Sequence, residues 1–213
     1  MNKTVIEKSV HWALERKQTI VSVGTTLAVG GFILSTVLFQ KHRAQEQGWG
    51  MLSYAENQIM QGQSAQGIAT LNELVNRYHS GPLLEQAYQL LGSLSMMTGN
   101  APEAVTMYEK GLEHASGNNK SLLMMSLGTA YEEAGNSQKA DDTYNEFLKE
   151  FPDHYLTPRV LMSSIRVETL NNNTGAAREH YEKLLTLYPD ISWTKRAGTY
   201  LENKALPEKP RAP

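Results

Sequence analysis

The 213 residues include no cysteine. Disulfides, thiol catalysis and thiolate metal sites are excluded, while either redox compartment is permitted. Charge of one sign is lacking too. Lys and Arg number 20 against 22 Asp and Glu, a net charge of −2, so no basic field points to nucleic acid. The phosphate-loop, nucleophile-elbow, zincin and dinucleotide patterns are all missing. The six histidines, His11, His42, His79, His114, His154 and His180, show no ligand spacing, and surface or turn positions account for them. Glu132 and Glu133 are adjacent on a helix, so they diverge and read as a solvated edge. No enzyme, metal or cofactor is expected.

What is present begins with one long charge-free run. Gln18 to Gln40, QTIVSVGTTLAVGGFILSTVLFQ, holds 23 residues. As a helix it would reach roughly 34 Å, slightly more than a bilayer's hydrocarbon layer. The run therefore predicts a transmembrane helix over 18–40. Lys3, Lys8, Arg16 and Lys17 precede it, against Lys41 and Arg43 after it, which favours a cytoplasmic N-terminal segment over 1–17. Thr26 with Gly30, and Gly31 with Ser35, offer small faces on which another membrane helix could pack.

The rest of the chain repeats. GNSQKADDTYNEFLKEFPD, Gly135 to Asp153, returns at Asn172 to Asp190 as NNTGAAREHYEKLLTLYPD, offset by 37 residues. Earlier copies start at Gly99 and Gly62, offset by 36 and 37. Each opens with turn residues and continues with apolar side chains at helical spacing, such as Ala140, Tyr144, Phe147, Leu148 and Phe151. Asn100 is placed to cap a helix with Pro102 and Glu103 in its first turn, and Pro152 and Pro189 stop theirs. Further helices lie between the copies, Leu84 to Thr98 and Ser121 to Ala134, with Gly92 and Gly128 allowing close approach toward Ala104 and Ala140. Hairpins of this length cannot bury their apolar faces alone, so they must stack. The fold class read here is all-α, an α-solenoid of about four helix pairs over 41–204. Trp193, Ala197, Tyr200 and Leu201 mark a C-terminal capping helix, and 205–213 reads as a disordered tail.

Met124, Leu127, Gly128, Tyr131, Gly135, Ala140, Tyr144 and Pro152 together resemble the tetratricopeptide repeat. The second copy matches at Tyr88, Leu91, Gly92, Gly99, Ala104 and Tyr108, with Ser95 and Ser116 departing from the pattern. The first copy has Gly67 for the small alanine, and the fourth has Ile165 for the glycine. The resemblance implies a protein-binding groove lined by the first helix of each pair. Its matched positions are Trp49, Leu52, Ile59, Met60, Gln86, Gln89, Met96, Met97, Leu122, Met125, Arg159, Met162 and Arg166. Five of the nine methionines fall on this face, which suits adaptable apolar contacts. With the register shifted by one, the same residues would be ordinary packing.

The layout, one span followed by helical repeats, also resembles the ancillary YfgM-like subunit of the bacterial Sec translocon. That resemblance implies a single-pass inner-membrane protein with periplasmic repeats. Its partners would be the membrane bilayer, translocon subunits, a periplasmic chaperone or isomerase, and exported clients. The competing reading is a structural scaffold or assembly subunit with one fixed partner.

Overall fold

In a computed structural model, residues 16–205 are described, and among them every regular element is a helix. The segments 1–15 and 206–213 lie outside the described residues, so most of the expected N-terminal segment and tail does too. The chain divides into two compact units, Met1–Gly50 and Met51–Pro213.

Helix α1 runs from Lys17 to Met60 and contains the charge-free run. Among the described residues, no helix is long and apolar enough to cross a membrane. The transmembrane helix expected over 18–40 is corrected accordingly. The single-pass inner-membrane placement falls with it, as do the cytoplasmic N-terminus and the periplasmic repeats. The described side chains of the run are continuous only from Thr25, and Gln40 to Arg43 follow within a window of about 19 residues. The averaged hydropathy of the described residues therefore falls short of what spanning requires.

The second unit is a stack of helix hairpins. The end of α1 pairs with α2 (Ser64–Arg77), α3 (Pro82–Met97) with α4 (Ala101–Leu112), α5 (Gly117–Glu133) with α6 (Ser137–Glu150), and α7 (Thr157–Leu170) with α8 (Thr174–Leu187). Helix α9 (Ser192–Ala205) packs on α7 and α8, where Ala197 is buried with Trp193, Tyr200 and Leu201 against it. The expected repeat array and its closing helix are both present.

One turn geometry recurs in the hairpins. The Asn100 N–H donates to Ser95 O at 2.8 Å, the Asn136 N–H to Tyr131 O at 2.8 Å, and the Asn173 N–H to Glu168 O at 2.8 Å. The residue before each asparagine must enter the left-handed region, and Gly99 and Gly135 do so at φ 76°. In the last hairpin Asn172 takes that place at φ 59°. The asparagine side chains then cap the second helices by accepting from the N–H groups of Glu103, Lys139 and Ala176.

Within the second and third hairpins the decisive contact is an aromatic ring laid on glycine. A Cβ at Gly92 would lie 2.5 Å from Tyr108 Cε1, and one at Gly128 would lie closer still to Tyr144. The expected partners Ala104 and Ala140 are buried nearby in the same cluster, yet the tyrosine rings occupy the space the glycines leave. In the fourth hairpin Ile165 is fully buried where the glycine would be, and Tyr181 instead brings its hydroxyl against Gly198 of α9. Tyr144 has no room to retreat, since it is completely buried. Gly128→Ala is therefore expected to cost about 1–3 kcal/mol in thermal or denaturant unfolding. Gly175→Ala, at a helical position with open space around it, should be neutral or stabilise by up to about 1 kcal/mol.

Candidate protein-binding surface

The first helices of the hairpins position the groove residues read from the sequence, and the structure distributes them in three ways. Leu52, Met125 and Met162 are buried, and Met125 and Met162 keep only 6% and 9% of their surface. Ile59, Met96 and Leu122 are half-buried and lean on the apolar clusters. Gln86 and Arg159 are exposed and Gln89 is partly so, while Trp49 is exposed in the first unit. Thr26, Gly30, Gly31 and Ser35 are exposed on α1, and a role in membrane packing lapses with the span.

Met60 and Met97 behave differently. They are 84% and 82% exposed, each at the last position of its helix, ahead of the recurrent turn. The same repeat position is Glu133 in the third hairpin and Leu170 in the fourth, and Leu170 is 54% exposed. Three of the four first helices thus end in an exposed apolar side chain beside a turn. A pocket of about 460 Å³ opens next to this row, bordered by Glu133, Gly135, Val167 and Leu170. Sequence reasoning missed Leu170, although the 36–37 residue offset running through Met60 and Met97 points to it.

Beneath the row lies a chain of polar contacts. The Arg166 guanidinium donates to both Glu132 oxygens, Nε at 2.8 Å and Nη2 at 2.7 Å. The Tyr144 hydroxyl donates to the same carboxylate at 2.5 Å. Glu132 is therefore no solvated edge but the centre of a bridge between the third and fourth hairpins. Its hydrogen bond, ahead of its charge, holds Arg166 in the protonated form, and burial first, then its charge, pushes the Tyr144 phenol upward. One repeat earlier, the Tyr131 hydroxyl donates to Glu109. Burial first, then this carboxylate, raises Tyr131 to about 12. Of the two basic groove residues, Arg166 is thereby neutralised and Arg159 stays exposed.

One histidine departs from the sequence reading, since His180 is buried beside Glu168, whereas His154 lies between α6 and α7, as expected, and contacts Ser121. Among the described residues, no group of three or more acidic or histidine side chains could hold a metal ion.

The tetratricopeptide repeat pattern matches residues 50–78 and 123–154. Those two segments read as tetratricopeptide repeats. Similar solved structures include a tetratricopeptide repeat protein from Parabacteroides merdae, at 19% identity and a TM-score of 0.66, covering 75% of this chain and 60% of that one. MamA is similar at 18% identity and a TM-score of 0.54, with 74% and 80% covered. The C-terminal part of a repeat protein from Cytophaga hutchinsonii is similar at 21% identity and a TM-score of 0.57, with 74% and 57% covered. At these identities the likeness is one of fold. No curated protein matches the sequence. Tetratricopeptide folds are scaffolds for contacts between proteins, and the geometry here fits that use.

Glu132→Gln should leave Arg166 half-buried without its carboxylate. The expected loss is roughly 2 kcal/mol, less than for a fully enclosed pair because Arg166 keeps some solvent. The Glu132→Gln/Arg166→Met double variant should lose less than the summed single losses when unfolding free energies are compared.

Proposed function

We propose that the repeat unit binds a protein segment across the ends of its first helices, without chemical turnover. The observation that carries this is the row Met60, Met97 and Leu170. Tyr54, Tyr155, Leu185 and Leu187 of the stack are exposed as well, but Met60, Met97 and Leu170 recur at one repeat position, each closing a first helix. Exposed methionine and leucine in register, about 10 Å apart per packed helix layer, suit an extended or helical apolar segment. The exposed groove residues Gln86 and Arg159 lie near the opposite ends of α3 and α7, roughly 16 Å along the helix from Met97 and Leu170, and stand outside this row.

Two finer readings share this surface. A chaperone-like factor would hold many segments weakly, and an assembly subunit would hold one partner stoichiometrically. A place beside the Sec translocon rested on the span, so it receives no support from the described residues. The flexible methionines favour varied segments. The filling of Met125 and Met162 into the core narrows the adaptable surface, which favours a single partner.

A photo-crosslinking side chain at position 97, and separately at 170, tests the proposal. Both should capture the same partner protein, while one at Thr106, exposed on α4, should not. Met97→Glu combined with Leu170→Glu should weaken capture at least about tenfold with the helical circular dichroism unchanged. Capture that is indifferent to this exchange would reject the surface.

A further inference from the structure

A second pocket, of about 390 Å³, is bordered by Asp141 and Leu148 of α6, Glu168 of α7, and Ala176 and His180 of α8. It lies between the second helices of the last two hairpins, apart from the row of helix ends. Nothing in the binding reading above uses it.

The side chain that defines it is Glu168, 2% exposed on α7. Its Oε1 lies 2.9 Å from His180 Nδ1, but neither His180 Nδ1 nor Glu168 Oε2 has a hydrogen-bond partner. The pair is close but misaligned, and one carboxylate oxygen is left without a donor. An orphaned acceptor buried in this way costs free energy until something donates to it. Asp141 stands on the same pocket, half-buried. Its carboxyl is pushed up from the ordinary range by burial first, then by the charges of Glu168 and Asp142, while His180 opposes the shift. Asp141 and Glu168 thus bring two carboxylates that are at least half-buried to one cavity, with the His180 imidazole beside Glu168. Lys149, Lys183 and Glu179, all exposed, also border the pocket.

We propose that this pocket receives the arginine side chain of a protein partner. The guanidinium would donate to Glu168 Oε2 and to Asp141, while its aliphatic stem runs along Leu148 and Ala176. Arginine fits better than lysine because its planar fork serves two carboxylates at once and is less strongly hydrated. Leu148 and Ala176 give the methylene groups an apolar wall, as stems of long basic side chains require. A metal ion is the poorer occupant, since the described acidic and histidine groups do not converge as ligands.

The test is a titration of the full chain, followed by amide NMR, with the capped peptide acetyl-Gly-Arg-Gly-amide. Saturable shifts are expected at the Ala176 and Asn145 amides, with a Kd on the order of millimolar. The citrulline counterpart, equal in shape and without charge, should produce none. Glu168→Gln, with unchanged circular dichroism, should weaken the arginine peptide at least about tenfold. Should Glu168→Gln unfold the chain, the half-buried Asp141→Asn provides the same comparison. Equal shifts from the citrulline peptide, no saturable shifts, or an unchanged Kd in the folded variants would each overturn the proposal.

Discussion

A single helix hairpin of this size has apolar residues facing two neighbours and cannot dry both sides by itself. The second unit depends on meeting that constraint at close range. Gly92 and Gly128 remove a side chain so that Tyr108 and Tyr144 can lie flat against helix backbone. The rings then place their hydroxyls beside Ser93 and Thr129, each at 3.3 Å, so the buried phenol oxygens are not stranded. Close packing and polar satisfaction are achieved by the same residue.

Much of this was legible in the sequence because the constraint repeats. A period of 36–37 residues exposed the hairpins, Asn100 marked one capped turn, and the one-sided spacing of Trp193, Ala197, Tyr200 and Leu201 marked the closing helix. What stayed hidden was depth. Periodicity assigns Met97 and Met125 to the same general face, but only packing decides that Met97 remains in solvent while Met125 sinks into the cluster around Leu123. Glu132 and His180 were misjudged for a related reason. Their partners, Arg166 and Glu168, lie 34 and 12 residues away, and local spacing gives no sign of either pairing. The charge-free run beginning at Gln18 shows the converse error. Length without charge was read as a span, whereas the side chains described without interruption, Thr25 to Gln40, are too few to fill a spanning window before Lys41, His42 and Arg43.

The two candidate surfaces differ in the physics they offer. The row of helix ends is apolar, exposed and repeated, so its contribution grows with the length of segment that lies along it. The pocket beside Glu168 is singular and charged, suited to fixing register and choosing among partners more than to supplying broad affinity. One surface would grip while the other discriminates.

The bridge from Glu132 to Arg166 also bears on how the array comes apart. In a stack held solely by nearest-neighbour apolar contacts, the terminal hairpin could peel away and leave its neighbour intact. Here, removing α7 would leave the Glu132 carboxylate, already engaged by the Tyr144 hydroxyl, without its countercharge. Fraying at the C-terminal end is thereby coupled to the heart of the third hairpin, which favours the last two hairpins opening together.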